Sequence, residues 1–258
     1  MRKSLLGLPV DLLTFDSTLA LAGDAMRTGT PCQHVALNVA KLVNARRDSE
    51  LDRDIRNSEI VGIDGMGIVW ALQLLGERRA VRVAGIDLFE GLIGLCAAEG
   101  FRPFLLGATP EVLSATEAEL KRRHPDLVVA GRHHGYFGPA DETTLCAQIA
   151  ASGAHCLFVA MPTPRKERFM LRNRERLAVP FVMGVGGSFD VVAGKVQRAP
   201  RLLQRSGLEW FYRLAQEPRR LAARYTRTNL VFARLMAREI GARLVARFVT
   251  ARSTEQAG

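Results

Sequence analysis

Cysteine is sparse: Cys32, Cys96, Cys146 and Cys156 are the only four, and no two form a CxxC pair. Such spacing offers neither a disulfide framework nor a zinc site, and it reads as small buried residues in a reducing compartment. No run of eighteen apolar residues occurs, so no segment is expected to span a bilayer. The start, MRKSLLGLPVDLLTF, joins a basic opening to leucines, but Pro9 and Asp11 break the run and no small-residue cleavage site follows. No targeting segment is expected there. GxGxxG is missing as well, which weighs against a nicotinamide-dependent oxidoreductase, the first rival reading. Lysine vanishes after Lys195.

What is present is a globular composition with an excess of positive charge. Of 258 residues 48% are apolar and 24% charged, and the net charge is +10. A chain of this length buries a full core, and the charge points to an anionic partner: nucleic acid, a phosphorylated substrate or an acidic membrane surface. Apolar, β-branched runs at HVALNV (34–39), EIVGID (59–64), FRPFLLG (101–107), DLVVAG (126–131), CLFVAM (156–161) and PFVMGVG (180–186) predict buried strands. Helically spaced stretches separate them. The alternation predicts an α/β fold, a mostly parallel sheet with helices on both faces, over 1–195.

From 196 to 258 the pattern becomes helical and basic. Thirteen arginines face four glutamates from Arg198 onward. The last helix, near TNLVFARLMAREIGARLVARFV, sets Arg234 against Arg238 and Arg243 against Arg247 four residues apart. It reads either as a helix packed on the core with a solvated face, or as one lying in an anionic membrane interface. The arginine excess favours the interface. A non-catalytic nucleic-acid-binding protein is the second rival, but regularly placed aromatics and recognised modules are lacking.

Open α/β sheets bind ligands at the carboxyl ends of their strands, which singles out three loops. IDGMG puts Asp64 directly after a strand, with glycines that admit a ligand close to the backbone. MGVGGSFD brings Gly186, Gly187 and Asp190 to a helix start suited to a phosphate or ribose. MPTPRKE carries Arg165, Lys166 and Glu167. Each has a plainer reading: a helix cap, a tight turn, surface charge. GYF, with Tyr136 after His133 and His134, reads as core packing or as a stacking platform. The histidine pair makes a poor metal site.

In order along the chain, LNVAKLV, DGMG, RVAGIDL, FLLGATPE, GYF, PTPRKE, GVGGSFDVVAGKVQRAP and GLEWFYRLAQEPRR resemble the WecG/TagA/CpsF family of bacterial glycosyltransferases. The resemblance covers about 34–224 and implies a Rossmann-like core with a C-terminal appendage, 196–258, that closes the active site and meets the membrane. It implies an inverting enzyme that moves a sugar from a UDP-sugar to a polyprenyl-diphosphate-linked saccharide, in exopolysaccharide or other surface-polysaccharide synthesis. Such an enzyme would be peripheral on the cytoplasmic face of the membrane and would not bind nucleic acid. Asp64 would be the general base, with Asn38 and Arg82 lining the pocket. Tyr136, Lys166, Glu167, Gly186, Gly187 and Asp190 would lie by the nucleotide sugar. Arg213, Arg220 and Arg224 would bind the diphosphate through planar forks, which leads us to expect no metal or other cofactor. Trp210, Phe211 and Tyr212 are expected to seat the appendage on the core or interface.

Three positions depart from the family pattern. Ala36 stands where threonine is usual, Lys166 where glutamine is usual, and Ala223 precedes Arg224 where the third arginine is expected. A cation at 166 suggests a different donor, such as an acidic sugar.

Overall fold

The computed structural model describes the backbone of residues 1–216 and 218–255, with side chains throughout except at 205, 213, 220, 221, 224 and 244–255. The chain opens on a hairpin of β1 (Arg2–Leu5) and β2 (Leu8–Asp11), turned by Leu6 and Gly7. Their φ values of 50° and 86° are the left-handed geometry that two-residue hairpin turns demand. α1 (Phe15–Thr28) follows. Thr14 and Ser17 close a capping box at its start, and Gly29 ends it in the left-handed region.

Six strands then make one parallel sheet: β3 (Cys32–Leu37), β4 (Ile60–Ile63), β5 (Pro103–Gly107), β6 (Gly131–His133), β7 (Cys156–Ala160) and β8 (Phe181–Gly184). Their spatial order is β4-β3-β8-β7-β5-β6. The crossovers carry α2 (Val39–Ala45) and α3 (Ser49–Arg56), α4 (Met66–Leu74) and α5 (Gly85–Glu99), α6 (Pro110–Arg123), α7 (Glu142–Ala151), and α8 (Arg165–Arg172) with α9 (Arg174–Leu177). α10 (Ser188–Val192), α11 (Arg201–Arg205), α12 (Glu209–Gln216) and α13 (Pro218–Glu255) complete the chain.

Successive strand residues enter two different apolar clusters, one on each face of the sheet. Leu157 and Val159 of β7 join Leu42 and Ile68 in one; Cys156 and Phe158 join Phe89 and Phe189 in the other. Strands buried on both sides need apolar residues at every position, which is why they appear in the sequence as unbroken runs.

Two expectations are corrected. The run at 126–131 is not a strand: Val128 is 59% exposed, and pairing begins only at Gly131, where β6 borders β5 alone. The apolar residues of α13 also face outward only in part over its described side chains, with Leu230 51% exposed. Thr228, Phe232, Met236 and Ile240 recur every four residues; Phe232 and Ile240 are partly buried, and Met236 lies in the core cluster that includes α2. Arg227, Arg234 and Arg238 are exposed. That stretch is a packed helix with a solvated arginine face.

Candidate active site at the strand ends

A parallel sheet ends all its strands at one edge, so six loops share one mouth. Leu37 of β3 pairs with Ile63 of β4, which places the next residues, Asn38 and Asp64, side by side. The Asp64 N–H extends the ladder to the Leu37 carbonyl at 3.0 Å. Asn38 caps α2, its Oδ1 accepting the Lys41 N–H at 3.0 Å. Asp64 Oδ1 accepts the Gly85 N–H at 3.1 Å, a carboxylate at the start of α5. Both side chains belong to half-buried residues.

The glycines of DGMG have a different task from admitting a ligand. A Cβ on Gly65 would stand 3.3 Å from Asn38 Cβ, and one on Gly67 would stand 2.7 Å from Val39 Cγ2. Their bareness lets the starts of α2 and α4 close together and fixes Asp64 against Asn38.

Lys41 lies in the first turn of α2, while Lys166 and Glu167 open α8. β8 separates the strands that lead to them, and its last residue, Gly184, leaves room for contact: a Cβ there would lie 2.9 Å from Lys166 Cδ and Cε. Glu167 Oε1 takes Lys41 Nζ at 2.9 Å, Lys166 Nζ at 2.7 Å and the Thr163 hydroxyl at 3.2 Å. Lys41 Nζ also donates to the Ala36 carbonyl at 2.6 Å. All three charged residues are buried, Glu167 completely. Burial alone would raise the Glu167 carboxyl, but the two lysines outweigh it and hold it at about 2. Burial, and then Lys41, push Lys166 down to about 8 against the pull of Glu167 and Asp64. Lys166 therefore stands inside, on Glu167, and not as a free cation in the mouth.

At the end of β8, Gly186 takes φ +55° and Gly187 caps α10. A Cβ on either would meet nothing within 4 Å, so this loop borders open space among the described residues. Asp190 stands 3.8 Å from Lys195 Nζ. Beyond β6 the 135–137 loop is held by Arg165, which donates to the Gly135 and Phe137 carbonyls at 2.9 and 2.6 Å and stacks 4.7 Å over the Phe137 ring. Tyr136, 69% exposed, borders a hollow of about 350 Å³ with His133, His134 and Asp141. β4 and β6 are opposite edges of the sheet, so the chain leaves one edge at Asp64 and the other ahead of Tyr136.

Arg82 is ion-paired with Glu209, the first residue of α12, and Arg198 holds Asp87 at 2.8 Å while standing 3.9 Å from Glu209. Gly207, at φ +77°, lies so close to DGMG that a Cβ would come 2.6 Å from Met66 Cγ. Glu209 and Gly207 thus join the start of the appendage to the core, as Met236 joins α13 to it. Trp210 and Phe211 are 39% and 56% exposed, and Trp210 packs edge-on to Tyr225 of α13. The side chains of Arg213, Arg220 and Arg224 lie outside the described residues.

The expectation that the sequence holds no Asp-x-Asp, the usual metal holder among glycosyltransferases, is corrected by one acidic triplet. Asp52-Arg53-Asp54 has the spacing of a metal-holding Asp-x-Asp, but it lies within α3, with Asp52 tied to Arg56 at 2.6 Å and Asp54 buried. Lys41 and Glu209 were missed as well. Each carried a faint signal: a lysine inside the apolar run VAKLV, and an acid in a segment of arginines.

The model of one protein family, described as Glycosyl transferase WecG/TagA/CpsF family, matches residues 3–245, from the hairpin through the sheet and into α13.

Proposed function

The chain belongs to the WecG/TagA/CpsF family, glycosyltransferases of cell-surface polysaccharide synthesis, and on that premise we propose that it transfers a sugar from a UDP-sugar to a polyprenyl-diphosphate-linked saccharide with inversion. One observation carries the reading: a half-buried carboxylate, Asp64, is fixed beside Asn38 at the mouth of a parallel sheet, two strands from a glycine loop that borders open space.

In this reaction an acceptor hydroxyl attacks the anomeric carbon from the face opposite the nucleotide. The new C–O bond forms as the bond to the UDP oxygen breaks, and Asp64 takes the hydroxyl proton. General-base help of this kind is typically worth about 10²–10⁴-fold. Charge gathers on the departing diphosphate and needs fixed cations. Arg213, Arg220 and Arg224 are the residues proposed for that role, with no metal required. Arg82 contributes by anchoring α12 through Glu209. The donor end that carries the sugar belongs near β4 and β3, and the far end of the mouth, towards Tyr136, takes the remainder of an extended ligand. Since Lys166 is engaged by Glu167, it gives no argument for an acidic donor sugar.

No helix among the described residues is long and apolar enough to cross a membrane. Association with the cytoplasmic face of the membrane remains part of the proposal. Its support is the arginine face of α13 together with exposed Trp70, Leu74, Leu202 and Phe211, since rings and aliphatic groups beside cations suit an anionic interface.

The test is UDP release across UDP-glucose, UDP-glucuronate, UDP-N-acetylmannosamine and its uronate, with a lipid-diphosphate-sugar acceptor, with and without a chelator. One donor should turn over in the presence of chelator, and Asp64→Asn should cut turnover about 10²–10⁴-fold while leaving UDP binding intact. Undiminished turnover by that variant, or no release from any donor, defeats the reading.

A further inference from the structure

β3 leaves the sheet one side at a time. Its pairing with β8 ends at His34 opposite Met183, while its pairing with β4 runs on to Leu37 opposite Ile63. Leu37 gives its carbonyl to the Asp64 N–H on the β4 side, so the Ala36 carbonyl, one residue earlier, faces the side that β8 has left. A strand carbonyl without a ladder partner needs another donor. Here the donor is a side chain: Lys41 Nζ reaches the Ala36 carbonyl at 2.6 Å. The same ammonium lies 2.9 Å from Glu167 Oε1, and both residues are buried. Since α2 follows β3 and α8 follows β7, the contact ties together two helix starts that flank β8.

Lys41 also holds Asn38 directly. Its backbone N–H lies in the first turn of α2, where such groups have no intrahelical partner, and it donates to Asn38 Oδ1 at 3.0 Å. That bond identifies the oxygen end of the amide. It leaves the Nδ2 end, two donors with no acceptor among the described residues, next to the strand end that carries Asp64. One residue thus fixes Asn38 twice, through its side-chain oxygen and through the strand two residues ahead of it.

We infer that Lys41 is a positioning residue for Asn38. Its ammonium, seated between the Ala36 carbonyl and Glu167, stands in for the strand that β8 no longer supplies, and it keeps the Asn38 Nδ2 donors available to a ligand oxygen at the mouth. The effect on turnover rests on the proposed sugar transfer; the clamp on Asn38 does not.

Lys41→Met is the informative change, because Lys166 stays on Glu167 and the carboxylate is not left bare. In the transfer assay it should cut kcat about 10- to 100-fold, as misplacement of a site group does, with UDP binding unchanged. In an Asn38→Ala background the same change should cost less than about twofold, since nothing is left to position. A loss that came only from weakened folding would appear equally in both backgrounds and would follow the urea midpoint. Nitrogen-15 relaxation reads the clamp without activity. In the wild-type protein the Asn38 side-chain amide should be as rigid as ordered backbone, with an order parameter of about 0.85, and Lys41→Met should lower it. A wild-type value below about 0.6 overturns the inference even if the variant fails to fold. Undiminished kcat in Lys41→Met, or an equal loss in both backgrounds, overturns it too. A rigid amide loosened by Lys41→Met, in a protein that releases UDP from no donor, sinks the functional reading alone; transfer with additive losses sinks this inference alone.

Discussion

Replacing Glu209 by alanine should loosen the appendage far more than its peripheral position suggests. Glu209 is 6% exposed and accepts the Arg82 guanidinium, itself only 15% exposed, across 127 residues of chain. Removing one partner of a buried pair typically costs about 3–5 kcal/mol, because the other charge is left in a dry place. Arg82 keeps some water and Arg198 keeps Asp87, so the cost here falls at or below the lower end, about 2–3 kcal/mol. The loss falls on the seating of α11 and α12, where Gly207 also meets Met66 and Trp210 packs on Tyr225 of α13. Such a loss corresponds to a roughly 30- to 150-fold rise in local opening, at 1.4 kcal/mol per decade. Native-state hydrogen exchange of the α12 amides reads that opening directly, and trypsin cleavage near Arg201 reads it independently. A double-mutant cycle with Arg82→Ala should show strong non-additivity. Unchanged exchange in α12, or additive single-mutant effects, would refute the claim that this pair holds the segment down.

Met236→Ala should destabilise the protein by about 2–4 kcal/mol in urea titration, since a side chain 7% exposed in the core cluster leaves a cavity; no change would mean that α13 is not seated there. Glu167, held at about 2 instead of 4.5, contributes stability that is complete above the ordinary value and lost as pH falls through it towards 2. The urea midpoint should therefore decline over that window, and Glu167→Gln should flatten the decline; parallel curves for the two proteins would show that the residue contributes nothing there.

The strands were legible where burial on both faces forced every residue to be apolar, as in CLFVAM and PFVMGVG. The run at DLVVAG misled because an apolar stretch can cover a core without pairing, and β6, hydrogen-bonded on one side only, needs no such signature. α1 and the hairpin left a fainter trace: Thr14 and Ser17 stand at capping-box spacing, but Pro9 and Asp11 interrupt the apolar run ahead of them. At the site, Asp64 and Asn38 could be named singly, but their adjacency comes from the pairing of Leu37 with Ile63. The contact of Lys41 with Glu167 depends on a strand order that no local pattern encodes. For α13 the periodicity revealed a stripe, yet nothing in it said which surface the stripe would meet.

The long helix also has a mechanical meaning. It is 38 residues from end to end, about 57 Å at 1.5 Å per residue, and it is clasped to α2, whose first turn begins at the asparagine beside Asp64. A pull on its distal end would act as a lever on that clasp. To swing away towards another surface, the helix must first give up Phe232, Met236 and Ile240 to water, and α2 would lose its cover in the same motion.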